Sequence, residues 1–274
     1  VADSGLTFKH KTANSHSLFK FIQVDTAGFG KVYINGGKIA GNSTPLFGNL
    51  RLNSATKVSL ETDITVYRNL ELFSGSLDLN AKKLSLFEES LDKGLFQADI
   101  TNEAENKYIY DDASAGTIST KFLDPFNFLS YKPLKVTQPN TTFGNIGTIV
   151  GASDYTRDVN ITRTYDKTQS ANNSFNTYFL IDVVGAALPN PTLTLNYLNR
   201  NKPPGSTPTK YQIFRDATNV GTGTYTPVLS KIGTKKVESV IIKSNSSNII
   251  ISSGKQRFVI GECATTPTIN LKDS

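Results

Sequence analysis

A repeat of about 20 residues in the first third of the chain constrains the fold more than any other sequence feature. Between residues 31 and 87, short apolar–polar–apolar triplets follow one another, an alternation typical of strands that bury one face. The triplets are Val32–Ile34, Leu50–Leu52, Val58–Leu60, Ile64–Val66, Leu70–Leu72, Leu77–Leu79 and Leu84–Leu86. The residues between them are mostly Asn, Gly, Ser, Thr and Lys, which are mostly compatible with turns. The sequence therefore predicts short strands separated by tight corners.

The triplets recur in sets of three. Comparing the chain with itself matches Asn49–Leu52 to Asn69–Leu72, Val58–Leu60 to Leu77–Leu79, and Ile64–Val66 to Leu84–Leu86. The three shifts are 20, 19 and 20 residues. Three strands per repeat suit one coil of a parallel β-solenoid, because stacked coils pair equivalent strands in parallel. The sequence thus predicts a short parallel β-solenoid (β-helix).

An antiparallel meander is the alternative for the same region. Tight hairpins in a meander favour Asn-Gly or Asp-Gly at two-residue turns. The connections here are instead Ser54–Thr56, Thr62–Asp63, Ser74–Gly75 and Asn80–Lys82. These connections fit solenoid corners better than hairpin turns, so the sequence favours the solenoid.

The second half of the chain has a different pattern. Pro125, Pro133 and Pro139 argue against a central strand between residues 123 and 140. From residue 151, longer alternating segments are separated by turns and show no helical periodicity, which indicates an antiparallel β-sandwich. The predicted strands are Val159–Tyr165, Phe175–Val184, Leu193–Leu198, Lys210–Phe214, Tyr225–Leu229, Lys236–Lys243, Ile249–Ser252 and Arg257–Ile260.

The predicted fold class is therefore all-β: a short parallel β-solenoid followed by an antiparallel β-sandwich. The predicted segments are 1–110, a solenoid with an N-terminal cover; 111–150, a connecting segment; 151–262, the sandwich; and 263–274, a linker or the start of a further module. Leu91–Tyr110 is expected to form the last coil. The cover is expected because an open solenoid end exposes unpaired backbone, and Phe8, Phe19, Phe21 and Ile22 are candidates for it.

The net charge of +6 raises the question of an anionic partner. The lysines and arginines, however, are spread along the whole chain, whereas nucleic-acid sites cluster them with interleaved aromatic platforms. The sequence therefore predicts a solvated basic surface and no nucleic-acid partner. No apolar run approaches the ~20 residues of a membrane-spanning helix, so no transmembrane segment is expected.

Residues able to carry out chemistry are few and scattered. His10 and His16 have no cysteine or acidic cluster beside them, and Cys263 has no nearby base. Gly28–Gly30 and Gly221–Gly223 lack the following helix that a nucleotide-binding loop requires. We interpret these residues as structural.

Paired carboxylates need separate consideration, because glycoside hydrolysis uses two of them across a cleft. The acidic groups Glu88–Glu89, Asp99–Glu105 and Asp111–Asp112 fall in predicted corners and in the exit from the solenoid. The spacing within Asp99–Asp112 matches neither an EF-hand nor a glycine-rich Ca²⁺ repeat. The sequence predicts no catalytic, cofactor-binding or metal-ligating residue and no enzymatic activity. A polysaccharide lyase or hydrolase built on the solenoid is the alternative.

Two further residue types bear on ligands. Tyr67, Tyr131 and Tyr211 are candidates for stacking on sugars, although most tyrosines in such a chain are core or cross-strand residues. Asn42 and Asn160 begin Asn-x-Ser/Thr triplets, which an Asn- and Thr-rich chain contains by chance.

Several short motifs resemble those of large Bacteroidetes cell-surface proteins exported by the type IX secretion system. In order, they are Asn49–Asn53, Ser74–Asn80, Lys83–Leu86, Tyr108–Asp112, Gly116–Ser119, Phe143–Gly147, Ile161–Tyr165 and Arg257–Gly261. In that family, strand repeats lead through such segments into a sandwich. Arg163 matches the family's recurrent arginine, and we expect it to tie the sandwich to the solenoid through a charge-assisted hydrogen bond.

The resemblance implies a module of a long, secreted surface adhesin of the kind used in gliding motility or in cell adhesion to polymers. It implies an extracellular location at the cell surface and the type IX secretion machinery as a partner during export. Carbohydrate or other surface proteins are the ligands it implies.

Overall fold

The computed structural model confirms an all-β fold and contains no α-helix among the residues it describes. Those residues are 7–10, 18–19, 31–42, 44–86, 88–91, 94–120, 134–135, 146, 148–151, 158–166, 175–188, 192–207, 210–216, 225–228, 231–233, 238–242, 251 and 253–262. A 3-10 helix, Asn199–Asn201, interrupts the strands.

Strands of the first part of the chain pair mainly in parallel, and we call the described residues from 7 to 119 the parallel region. The strands are β1 (Thr7–His10), β2 (Leu18–Phe19), β3 (Lys31–Ile34), β4 (Gly37–Gly41), β5 (Leu46–Leu60), β6 (Ile64–Asp78), β7 (Lys83–Leu86), β8 (Glu88–Leu91), β9 (Gly94–Gln97), β10 (Asp99–Thr101), β11 (Ile109–Tyr110) and β12 (Thr117–Ser119).

The parallel region is organised in three rows of paired segments. The first row joins β3, the middle of β5, the middle of β6 and β10. The second row joins β1, β4, the end of β5, the end of β6 and β11. The third row joins β2, the start of β5, the start of β6, β7 and β12. Successive segments of the chain therefore visit the three rows in turn.

The register within these rows confirms the repeat found in the sequence. Leu50 lies opposite Leu70, Val58 opposite Leu77, and Ile64 opposite Leu84. All six side chains are fully buried and belong to the hydrophobic core. The antiparallel meander is contradicted, because every one of these pairings is parallel.

Two details differ from the predicted separate triplets. β5 runs continuously through two triplets and β6 through two and into a third, because their corners are small register shifts that leave the pairing intact on both sides. The last repeat is longer, since Ile100 pairs with Leu70 after the β8–β9 hairpin is inserted. Leu91–Tyr110 was predicted to form the last coil, and β10 and β11 within this segment pair with β6. Parallel pairing extends past Tyr110, because β12 pairs in parallel with β7.

Strand β12 connects the parallel region to the rest of the molecule. One edge of β12 pairs in parallel with β7, placing Ile118 opposite Leu84. Its other edge pairs antiparallel with the strand that contains Arg163, and Ile118 lies opposite Arg163. A single sheet thus passes from parallel to antiparallel pairing across β12.

The later strands form what we call the antiparallel region, the described residues from 134 to 262. They are β13 (Leu134–Lys135), β14 (Thr148–Gly151), β15 (Asp158–Tyr165), β16 (Thr177–Val184), β17 (Thr192–Tyr197), β18 (Tyr211–Asp216), β19 (Tyr225–Val228), β20 (Lys231–Gly233), β21 (Glu238–Ile242) and β22 (Gly254–Glu262). The predicted strands coincide with β15 to β19, β21 and β22. Within predicted strand Ile249–Ser252, the described residue Ile251 forms an isolated bridge with Leu188.

The antiparallel region contains two sheets. The large sheet continues from β12 in the order β15, β16, β22, β18 and β19, while the second sheet has the order β14, β17, β21 and β20. Tyr197 on β17 and Tyr211 on β18 meet edge to face at 5.7 Å, and Phe175 contacts both rings. These rings join the two sheets, and buried residues of both regions form one hydrophobic cluster.

We predict that Gly75→Ala destabilises the fold more than Gly205→Ala. Both glycines have left-handed φ angles, +76° and +74°, a conformation that costs an L-residue about 1–2 kcal/mol. A Cβ on Gly75 would lie 2.4 Å from the Ser54 carbonyl oxygen and 2.7 Å from that of Thr56, whereas a Cβ on Gly205 meets nothing within 4 Å. Urea unfolding of both variants measures the difference, and equal losses would contradict the packing described for this corner.

Candidate functional site at the junction of the two regions

A largely buried ion pair joins the parallel and antiparallel regions. Arg163 lies in the middle of β15 and is 7% exposed. Its Nη1 and Nη2 atoms donate to Oε2 and Oε1 of Glu103 at 2.9 and 3.0 Å, a two-point contact that fixes both groups. Glu103 follows β10, where Asn102 turns the chain with a left-handed φ of 66°. The predicted role of Arg163 as a tie between the two regions is confirmed.

The same cluster holds the backbone of Ile109 in β11. The Ile109 N–H donates to Glu103 Oε1 at 3.1 Å, and the Tyr165 hydroxyl donates to the Ile109 carbonyl oxygen at 2.8 Å. We call Glu103, Ile109, Arg163 and Tyr165 the junction cluster. Both backbone polar groups of Ile109 are therefore bound by side chains, the N–H by Glu103 and the carbonyl oxygen by Tyr165.

The surroundings of Arg163 and Tyr165 keep each of these two side chains in one protonation state. Burial alone would lower the pKa of Arg163, but the Glu103 carboxylate outweighs it and the net pKa is raised above its ordinary value. Burial raises the pKa of Tyr165 far above its ordinary value, so its hydroxyl stays protonated and keeps donating. The Arg163 guanidinium therefore stays charged and the Tyr165 hydroxyl stays neutral at physiological pH.

Asp111 performs a second structural task beside the junction cluster. Its Oδ2 atom accepts the Gly116 N–H at 2.6 Å, and its Oδ1 atom accepts the Ala81 and Ala113 N–H groups at 2.9 and 3.1 Å. A Cβ on Gly116 would lie 2.9 Å from the Asp111 carboxylate, so this approach requires glycine. Asp111 is buried and Asp112 is exposed, so the two carboxylates do not face one another across a cleft.

Asp78 holds the adjacent corner in a similar way. Its Oδ1 atom accepts the N–H groups of Asn80 and Asp112 at 3.0 and 3.2 Å, and its Oδ2 atom lies 3.4 Å from Lys57 Nζ. The Asn80 side chain then donates to the Leu60 carbonyl oxygen at 2.9 Å. Sequence reasoning missed this role, because Asp78 occupies the middle of an ordinary triplet.

A second contact between the two regions uses aromatic rings. The Arg200 guanidinium lies 3.4 Å from the ring centre of Tyr108 and 4.9 Å from that of Tyr110. The neighbouring Asn199 N–H donates to the Glu105 carboxylate at 2.6 Å. The loop before β11 therefore binds the 3-10 helix through both contacts. The sequence contains no local signal for this contact, since its partners are about 90 residues apart.

The acidic residues considered for enzymatic chemistry are separated by these contacts. Glu103 binds Arg163, Glu105 binds the Asn199 backbone, and Asp111 binds three backbone N–H groups. The side chains of Glu88–Glu89 lie outside the described residues. Within the part of the chain that the structure describes, no group of three or more His, Cys, Asp and Glu is arranged to hold a metal ion.

The remaining candidates have varied outcomes. Tyr211 is fully buried, so the hypothesis that it stacks on a sugar is wrong, whereas Tyr67 is half-buried. Asn160 is buried within β15 and cannot accept a glycan in the folded chain, while Asn42 is exposed. Other candidates, or their side chains, lie outside the described residues: His10, His16, Gly28–Gly30, Tyr131, Gly221–Gly223 and Cys263, together with the predicted cover residues Phe8, Phe19, Phe21 and Ile22.

Arg163→Met is predicted to lower the free energy of unfolding by up to about 3–5 kcal/mol, because it leaves the largely shielded Glu103 carboxylate, 14% exposed, without its partner. The control is Lys38→Met, which removes an exposed ion pair with Glu61 and should cost less than about 1 kcal/mol. Urea unfolding measures both. The double variant Arg163→Met with Glu103→Leu should regain part of the loss, since no unpaired charge remains. Equal losses of stability for Arg163→Met and Lys38→Met would contradict the role of Arg163 as a tie between the two regions.

Asp99→Asn is predicted to stabilise the protein at neutral pH. Burial raises the pKa of the Asp99 carboxyl above its ordinary value, so the folded state binds the proton more tightly than the unfolded state. Stability is therefore lost as pH rises from the unfolded pKa of about 4 through the higher folded pKa. Asp99→Asn has no carboxyl group at this position and lacks this loss, so the difference in stability between the variant and the wild type should disappear below about pH 4. Thermal unfolding from pH 3 to 8 tests this, and an advantage that persists at pH 3 would contradict it.

Within its described residues, the structure contains no helix long and apolar enough to cross a membrane. Comparison with protein-family models, with curated proteins and with solved structures gives no significant match to this chain.

Proposed function

We propose that this chain is a structural and adhesive module of a secreted bacterial cell-surface protein and that it acts as a rigid scaffold. In this proposal the parallel region is a short β-solenoid and the antiparallel region is a β-sandwich. Its location is extracellular, at the cell surface.

The solenoid part of the proposal is supported by the three rows and their register. Equivalent residues about 20 positions apart lie side by side in parallel, and the chain visits each row once per repeat. The sandwich part is supported by the two antiparallel sheets and the contact between Tyr197 and Tyr211. Inward-facing residues of both regions share one core.

The observation that carries the rigid-scaffold proposal is the buried two-point ion pair between Glu103 and Arg163 beside β12. Domains that move relative to one another meet through small, polar interfaces. Here a hydrogen-bonded sheet continues through the boundary, and the junction cluster binds the backbone of Ile109 next to it. Bending the molecule at this boundary would break β-sheet pairing and would separate Arg163 from Glu103, which leaves a shielded charge without its partner.

The adhesin identity rests on the motif resemblance, and the structure gives these motifs related roles. Tyr108–Asp112 contributes to β11 and to the Arg200 contact, Gly116–Ser119 contains β12, and Ile161–Tyr165 contains Arg163. Residues of these motifs thus meet at one boundary. We accordingly propose export through the type IX secretion machinery and a role in attachment, including gliding-type motility, with carbohydrate or other surface proteins as ligands.

The test is an attachment assay on immobilised polysaccharides and on immobilised surface proteins, with and without Ca²⁺. The proposal predicts that the chain is retained and that no new reducing ends or unsaturated sugars are released. Release of cleaved sugar would contradict the proposal and favour a polysaccharide lyase or hydrolase.

The rigid-scaffold part is tested separately by small-angle X-ray scattering on the wild type and on Arg163→Met. We expect one compact, concentration-independent form for the wild type. A broad distribution of sizes for the folded wild type would contradict rigidity, whatever the attachment assay shows.

A further inference from the structure

The outward face of the first row carries an unusual set of side chains. Inward positions such as Leu50 and Leu70 are fully buried, so the alternate positions point away from the core. Tyr33, Arg51 and Glu71 lie in register at such positions on β3, β5 and β6. Three neighbouring strands therefore present a ring, a guanidinium and a carboxylate side by side.

Phe73 adds an exposed ring to this face. Leu52 pairs with Leu72 and Asn53 pairs with Ser74, so Phe73 is an extra residue at a register shift. Such irregularities re-aim a side chain, and the Phe73 ring is 50% exposed. Its ring centre lies 3.8 Å from the Arg51 guanidinium carbon, which covers it in part. The fold exposes this apolar ring and holds it in a defined position.

Charged groups fix the geometry around the rings. The Glu71 carboxylate lies 3.0 Å from Lys31 Nζ and 3.6 Å from Arg51 Nε. The Arg51 guanidinium also lies 5.9 Å from the centre of the Tyr33 ring. Arg51 is thus placed between two rings, and its planar group is held by a carboxylate that is itself partly shielded.

These side chains match the chemistry of a sugar polymer. A pyranose ring has apolar C–H faces that pack on aromatic rings, and hydroxyl groups that bind carboxylates and guanidinium groups. The ring centres of Tyr33 and Phe73 are separated by no more than the sum of their distances to Arg51, 5.9 and 3.8 Å. Two linked pyranose units span such a distance, so both rings can contact one chain.

A protein partner fits this face less well. A stable protein interface buries about 800 Å² on each side around an apolar centre. Among the described residues, the strongly exposed large apolar side chains are Phe73 and Val184, and Val184 lies at the end of β16 in the antiparallel region. A single exposed ring surrounded by charges is too small an apolar centre for a protein, whereas sugar sites use a few rings and several polar groups.

We infer that the face formed by Tyr33, Arg51, Glu71 and Phe73 binds a polysaccharide chain. This inference rests on the proposed attachment function and names its ligand class and its site. The sugar rings stack on Phe73 and Tyr33, while Arg51 and Glu71 bind the hydroxyl groups.

The test is affinity gel electrophoresis of the full chain in gels that contain a β-glucan, soluble chitin oligomers or a uronate polymer. The variants are Phe73→Ala and Tyr33→Ala, and the matched control is Val184→Ala, which removes an apolar side chain of similar exposure, 47%. We expect retardation of the wild type by at least one polymer, about three- to tenfold weaker binding for each aromatic variant, and no change for the control. Thermal unfolding establishes that each variant is folded.

Four results would overturn the inference. The first is a wild type that none of the polymers retards, and the second is equal retardation of the wild type and folded Phe73→Ala. The third is a loss of retardation for Val184→Ala as large as that for Phe73→Ala. The fourth is concentration-dependent dimerisation of the wild type that Phe73→Ala abolishes. The last result would assign the face to a second copy of the chain. None of these results contradicts the proposed scaffold, which fails instead on sugar cleavage or on a flexible wild type.

Discussion

The buried contact between Glu103 and Arg163 determines how the two regions of the chain meet. Removing two charges from water is costly, and the cost is offset only when the pair is well aligned and its remaining polar atoms are bound. Here the guanidinium binds both carboxylate oxygens through Nη1 and Nη2, and one of those oxygens also accepts the Ile109 N–H, while Arg163 Nε is buried without a hydrogen-bond partner. The pair therefore selects one arrangement of β15 against the end of the parallel region.

Strand β12 gives the same boundary its continuity. A sheet edge that ended at β7 would expose unpaired backbone, which invites pairing with other chains. β12 pairs with β7 on one side and with β15 on the other, so the antiparallel region covers that edge. The side chains of Asp78 and Asp111 hold the corners before β12 by accepting backbone N–H groups. At β12 the boundary is consequently part of the sheet.

Local patterns predicted much of this structure, and long-range contacts account for what they missed. The shifts of 20 and 19 residues give the observed pairing of Leu50 with Leu70 and Val58 with Leu77, because stacked repeats place equivalent residues together. The role of Arg163 was also expected, from the motif around it. The sequence did not predict that β12 pairs on both sides or that Arg200 stacks on Tyr108. Both contacts join residues that are distant in sequence and that only the fold brings together. The exposure of Phe73 likewise follows from a one-residue register shift that no local pattern reports.

Hydrogen exchange in increasing urea tests most directly whether the two regions form one unit. Amides in separate domains exchange through separate openings, whereas amides in one cooperative unit converge on a single free energy of unfolding. The account predicts that the slowest amides of β5 and β6 and those of β16 and β22 reach the same free energy and the same dependence on urea. Loss of protection in β16 and β22 at a urea concentration where β5 and β6 remain protected would contradict it.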